Sequence, residues 1–94
     1  MLTALIIEDE RRSLDMLLAL LAQEFPHVRV LGSAADVPSG LALVARERPQ
    51  VLFLDIELGD RSGFDLLEAL GTMRPHVIFT TAHEGYAVKA IRFS

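Results

Sequence analysis

Val51-Leu52-Phe53-Leu54-Asp55-Ile56-Glu57-Leu58-Gly59-Asp60-Arg61-Ser62-Gly63 is the stretch on which the reading of this chain turns. Val51 to Leu54 is an unbroken apolar run with a β-branched and an aromatic member, the pattern of a strand buried on both faces. It stops at the carboxylate of Asp55, and a polar, glycine-bearing loop follows. In an open parallel sheet, ligands bind in the crevice outside the carboxyl ends of the strands. Asp55 therefore stands where chemistry ordinarily sits. A lone aspartate at a strand end more often just starts a turn. A second acidic cluster shifts that balance, and Glu8-Asp9-Glu10 supplies one, directly after the apolar run Leu2 to Ile7.

Working outward, Leu2 to Ile7 reads as a short first strand. From Glu10 to about Phe25, Leu14, Leu17, Leu18, Leu21 and Phe25 recur at helical spacing, with Met16 and Leu20 widening the stripe. Acidic residues crowd the expected first turn, and Pro26 stops the helix. Val28 to Ala34 is a second strand, and Arg29 and Gly32 within it point to an edge position. Asp36 caps the next helix, with Pro38 tolerated in its first turn, Leu41, Val44 and Ala45 as its buried stripe, and Pro49 at its end. Beyond the central stretch, Phe64, Leu67 and Leu70 mark a short helix with Asp65 near its start and Gly71 at its end. Val77 to Thr80 is a fourth strand, and Tyr86, Ala90 and Ile91 mark a last amphipathic helix. Strands alternating with helices predict one α/β domain over residues 1–94, a doubly wound parallel sheet with helices on both faces.

Composition narrows the function classes. The formal charge of −4 argues against direct nucleic-acid binding, which needs clustered Lys and Arg. With no cysteine, neither a disulfide framework nor a Cys-based metal or redox site is expected. The first strand begins at once after Met1, and the apolar runs are far too short to span a bilayer. The expectation is a cytoplasmic protein with no membrane contact.

If the first and third strands are neighbours, Glu8, Asp9 and Asp55 converge at one end of the sheet. Convergent carboxylates repel, and burying them unpartnered costs several kcal/mol. Hard oxygen ligands that leave positions open for water and phosphate suit Mg²⁺. The competing reading is that Glu8 and Asp9 merely stabilise the start of the following helix through its dipole.

Ile6-Ile7-Glu8-Asp9-Glu10, Phe53-Leu54-Asp55-Ile56-Glu57 with Ser62-Gly63, and Phe79-Thr80-Thr81-Ala82 together resemble the receiver domain of bacterial two-component response regulators. The resemblance covers essentially the whole chain. The ending Thr81-Ala82-His83-Glu84-Gly85-Tyr86-Ala87-Val88-Lys89-Ala90-Ile91 resembles the branch whose receivers precede LytTR-type DNA-binding domains. The resemblance implies a flavodoxin-like strand order 2-1-3-4. It makes Asp55 the phosphoacceptor, phosphorylated by a sensor histidine kinase or a small phosphodonor in a Mg²⁺-dependent reaction. Asp9 and Asp55 become direct metal ligands, Glu8 a ligand through water, and Glu57 a ligand through its main-chain carbonyl. Thr81 becomes the switch hydroxyl, and Ala82 offers its backbone N–H to the phosphoryl group. The output that such a module controls, DNA-binding transcription regulation in that branch, is not in this chain.

Two departures accompany the resemblance. Gly59 stands where the family usually has proline, which suggests a less rigid loop. The family's fifth strand and helix have no counterpart, and the sole lysine, Lys89, does not match the family's phosphate-pairing lysine. With no fifth strand, the fourth is expected to be an open edge, so that the chain self-associates through it or by exchanging the last helix. The expected role is a signalling module, not a turnover enzyme. Two other readings stand beside it. A haloacid-dehalogenase-like phosphohydrolase would also place an acid two residues beyond its nucleophile, as in Asp55-Ile56-Glu57. A non-phosphorylatable α/β interaction module would follow if the site were incomplete.

Overall fold

Leu2–Ile7 forms β1, and its alternating side chains sort two cores. Leu5 and Ile7 enter one apolar cluster, and Ala4 and Ile6 enter the other, all four fully buried. This is the strand period of two, with both faces covered. The computed structural model of the protein describes residues 1–80. Thr81, Ala82, Lys89 and the expected last helix lie outside the described residues.

The remaining elements are α1 (Arg11–Glu24), β2 (Val28–Ala34), α2 (Val37–Glu47), β3 (Val51–Leu54), β4 (Glu57–Leu58), β5 (Arg61–Ser62), α3 (Gly63–Leu70), a 3-10 turn (Gly71–Met73) and β6 (His76–Phe79). The main sheet has the order β2-β1-β3-β6, with every pair parallel. β6 is the fourth strand of the sequence reading, so the expected order 2-1-3-4 holds. Among the described residues β2 is an edge, as its charge and glycine suggest, and its pairing with β1 slips by one residue between Ala4 and Leu5. β4 and β5 form a small antiparallel hairpin apart from the main sheet.

Helices cover both faces. Val37, Leu43 and Val44 of α2 and Phe64, Leu66 and Leu67 of α3 pack with Leu5, Ile7, Leu52 and Leu54. On the other face, Leu14 and Leu21 of α1 pack with Ala4, Ile6 and Phe53. Each helix is stopped or capped by the residues that predict it. Asp36 accepts the Ser39 N–H at 2.8 Å at the start of α2, Pro38 sits in its first turn, and Pro26 follows soon after α1.

Several local expectations need correction. Met16 and Leu20 do not widen the buried stripe of α1, being 68% and 50% exposed, and Phe25 is 45% exposed. A helix lying on a single sheet face buries only a narrow arc, here Leu14 and Leu21. In α2 the buried positions are Val37, Gly40, Leu43 and Val44, and Ala45 faces solvent. The first turn of α1 contains no acid, because the helix begins at Arg11 with Glu10 as its N-cap. Glu8 and Asp9 lie before the helix.

Candidate functional site

Strand pairing sets the site. Ile7 lies opposite Leu54, the last paired residues of β1 and β3. One step further, the Asp55 N–H donates to the Ile7 carbonyl at 2.9 Å, and the Glu8 N–H donates to the Ala34 carbonyl of β2 at 2.9 Å. On the other side of β3, the Thr80 N–H donates to the Leu54 carbonyl at 3.0 Å. The strand ends are therefore fixed to one another by backbone bonds. Carboxylate oxygens of Glu8, Asp9 and Asp55 consequently come within 4.8 Å of one another. Glu8 and Asp55 are half-buried, and Asp9 is exposed.

No ion pair neutralises these acids among the described residues. Arg11, next along the chain, pairs with Asp15 at 3.2 Å, and Arg61 lies 3.8 Å from Asp65. Backbone amides do part of that work. The Glu10 N–H donates to Glu8 Oε2 at 3.1 Å, the Glu57 N–H to Asp55 Oδ1 at 3.3 Å, and the Gly59 N–H to Asp9 Oδ2 at 3.1 Å. They do not suffice for Glu8. Burial pushes its carboxyl up to about 7, with the Asp55 and Asp9 carboxylates adding to the rise and the Glu10 N–H opposing it. Three carboxylates with no cationic partner among the described residues offer a set of hard oxygen donors that could hold a divalent cation.

The raised carboxyl has a consequence for stability. Folded Glu8 holds its proton up to about pH 7, whereas the unfolded side chain loses it near 4.5. The folded state thus binds more protons between those values, and stability falls as pH rises through that window. In chelator, urea unfolding midpoints are expected to decline from pH 4.5 to 7. With solvent screening the loss is about 1–2 kcal/mol. Glu8→Gln should flatten the slope, and an equal slope in both proteins would refute this origin. Asp36, whose carboxyl the Ser39 N–H holds below the ordinary range, acts with the opposite sign, its contribution being lost on acidification below that window.

The local sequence around Asp55 also explains Ser62-Gly63. The Ser62 N–H donates to Asp65 Oδ2 at 2.8 Å, which starts α3 directly beside Asp55. A Cβ at Gly63 would lie 2.6 Å from the Asp55 carbonyl oxygen and 2.9 Å from Leu54 Cγ. Only glycine allows that approach. No local sequence signal gives this spacing, since it depends on where α3 meets β3. A separate open concavity of about 1000 Å³, lined by Pro49, Gln50, Leu67, Gly71, Pro75 and His76, lies at the opposite end of the sheet and contains none of these acids.

Comparison with known proteins names the class. The family model of the response regulator receiver domain matches residues 4–94. The chain belongs to that family. An uncharacterized response regulatory protein of Vibrio cholerae is 42% identical over 92 residues, covering 96% of this chain and 38% of that protein. The sensory transduction protein LytT of Enterococcus faecalis is 38% identical over 90 residues, covering 94% of this chain and 37% of LytT. This receiver therefore spans about two fifths of the length of the curated relatives it matches, and LytT-type regulators among them agree with the LytTR branch. Among solved structures, the Erythrobacter litoralis PhyR receiver domain superposes with a TM-score of 0.79 at 33% identity, covering 97% of this chain and 70% of that one. The N-terminal domain of an uncharacterized Wolinella succinogenes protein gives 0.77 at 29% identity, covering 99% and 75%.

Of the residues singled out in sequence, the receiver fold brings Glu8, Asp9 and Asp55 into one cluster. Glu57 is exposed on β4, with its N–H toward Asp55. Thr81 and Ala82 lie outside the described residues. The amide of Gly59 on Asp9 and the close approach of Gly63 were not anticipated.

Proposed function

We propose that this receiver accepts a phosphoryl group on Asp55 in a Mg²⁺-dependent reaction, from a sensor histidine kinase or a small phosphodonor. The observation that carries the reading is the convergence of Glu8, Asp9 and Asp55 within 4.8 Å at the strand ends, with no cationic partner among the described residues. Asp9, Asp55 and the Glu57 carbonyl would hold the ion, and Glu8 would reach it through water. When bound, the ion supplies neutralisation of charge on the transferring phosphoryl oxygens.

The chain's own part is nucleophilic attack and positioning. An Asp55 carboxylate oxygen attacks phosphorus, the bond from phosphorus to the donor nitrogen or oxygen breaks, and the donor leaves with the electron pair. An acyl phosphate on Asp55 results. The Glu57 N–H on Oδ1 favours the oxygen Oδ2 as the attacking atom. Thr81 and Ala82 would supply the hydroxyl and N–H that take up the new phosphoryl oxygens. Reaction is stoichiometric, so the protein acts as a cytoplasmic switch and not as a turnover enzyme. Its output, transcription regulation as in the relatives' names, would belong to the longer regulators of this branch. Family membership favours this reading over a phosphohydrolase. Adding Mg²⁺ with beryllofluoride, a phosphoryl mimic, should shift the amide signals of Asp55, Glu57 and Asp9. Unaltered signals at millimolar concentrations would favour the interaction-module reading instead.

Self-association through the fourth strand belongs to the same proposal. Among the described residues β6 pairs only with β3, and Ile78 on it is 48% exposed. Such a β-prone edge, with neither Pro nor Lys to blunt it, favours pairing. Sedimentation of the 94-residue chain at tens of micromolar is expected to show a dimer built on β6 or on exchange of the last helix that the sequence predicts. A clean monomer with a cooperative melt would contradict it.

A further inference from the structure

The acidic end of the sheet repels the anion it must receive. Glu8, Asp9 and Asp55 lie within 4.8 Å of one another, and Glu10, Glu57 and Asp60, all exposed, follow in the same loops. The chain as a whole carries a charge of −4. A small phosphodonor such as acetyl phosphate brings about two negative charges of its own at neutral pH. A positive field at the rim would raise its rate of encounter with Asp55. Among the described residues, the arginines at this end are Arg11, Arg12 and Arg61. Arg11 pairs with Asp15 at 3.2 Å, and Arg61 lies 3.8 Å from Asp65. Arg12 is exposed and makes no ion pair among the described residues.

Helix stability does not account for Arg12. It is the second residue of α1, at the positive end of the helix dipole, where acids are favoured and cations disfavoured. The chain also holds it close to the cluster. It follows Asp9 by three residues, so the two Cα atoms lie within about 11 Å. Charges at that separation still interact through water when salt is low, the Debye length being about 30 Å at roughly 10 mM ionic strength.

We infer that Arg12 is a steering residue for small anionic phosphodonors, its charge drawing the donor across the acidic rim toward Asp55. The inference rests on the proposed phosphoryl transfer to Asp55. Arg12 acts through its field, without touching the reacting atoms. The same field opposes a cation at the cluster, so donor capture and Mg²⁺ binding depend on Arg12 with opposite signs.

The test is the initial rate of labelling of the whole chain by subsaturating acetyl phosphate at saturating Mg²⁺. At low ionic strength Arg12→Gln is expected to be labelled about two- to threefold more slowly than the parent. Near 1 M salt, where the Debye length is about 3 Å, the two rates should coincide. Without donor, Mg²⁺ titration followed by amide signals should show Arg12→Gln binding the ion more tightly by a similar factor. Arg12→Lys, which keeps the charge but not the guanidinium fork, should retain both parental values. A parent chain that takes no label would overturn the transfer to Asp55 and this role with it. A labelled parent matched by Arg12→Gln at low salt would overturn the steering alone. So would a deficit that persists at high salt, weaker Mg²⁺ binding by Arg12→Gln, or a slow Arg12→Lys, each of which marks a structural or contact role.

Discussion

Asp55→Asn is expected to abolish phosphoryl incorporation while leaving the domain at least as stable as the parent. The carboxamide is nearly isosteric, and its oxygen can still accept the Glu57 N–H that Oδ1 accepts now. It is not a competent nucleophile, so no acyl phosphate can form. It also removes one negative charge from a cluster whose oxygens lie within 4.8 Å. The Glu8 carboxyl, pushed up in part by Asp55, should move back toward its ordinary value. Loss of labelling without loss of stability separates chemistry from folding. Acid-labile phosphate retained by Asp55→Asn would place the nucleophile elsewhere.

Gly63→Ala is expected to do the reverse, damaging the fold around an intact nucleophile. The added methyl would meet the Asp55 carbonyl oxygen at 2.6 Å and Leu54 Cγ at 2.9 Å. Leu54 is fully buried, and the carbonyl belongs to backbone held at the strand end, so neither can retreat cheaply. Overpacking of this kind costs about 3 kcal/mol, near the upper end of its usual range. Chemical denaturation should show the loss, and the Asp55 amide signal should shift with it. Gly71 is the contrast, with open space around it and a positive φ of 60°. Gly71→Ala would meet no clash, but φ 60° with ψ −131° lies outside the left-handed helical region, so its cost is backbone strain of about 1–3 kcal/mol and not overpacking. A loss of well under about 1 kcal/mol for Gly63→Ala would mean that α3 can slide away from Asp55.

What could be read from sequence follows from how local each signal is. The runs Leu2 to Ile7 and Val28 to Ala34 coincide with β1 and β2, because short segments rich in apolar and β-branched residues, set off by charged or turn residues, leave few alternatives. Asp36 and Pro38 fix the start of α2 from within a single turn. The convergence of Glu8, Asp9 and Asp55 needed only the neighbouring of β1 and β3, which the order implied by the receiver resemblance supplies and the sheet shows. Glu8 and Asp9 lie outside the first turn of α1, which starts at Arg11, so the competing role of helix stabilisation is not what brings them beside Asp55.

Tertiary context decided the rest. Met16 and Leu20 have the spacing of a buried stripe but lie on the far side of α1 from the sheet. The hairpin from Glu57 to Ser62 has strands of two residues each, too short to carry a periodic pattern. Within it Leu58 is 3% exposed, and Ile56 just before it 1%, so the loop after Asp55 is anchored by apolar residues and is not merely polar. Gly59 and Gly63 are constrained by Asp9 and Asp55, partners distant in sequence or across a turn.

The most direct test of the central claim is to locate the phosphoryl group on the intact chain. The protein would be incubated with acetyl phosphate, with and without Mg²⁺, reduced with borohydride to trap any acyl phosphate, and mapped by peptide mass spectrometry. The expected result is reduction at Asp55 alone, and only where Mg²⁺ was present. Reduction at another carboxylate, or at Asp55 regardless of Mg²⁺, would contradict the proposed role of the Glu8, Asp9 and Asp55 cluster, as would no reduction at all.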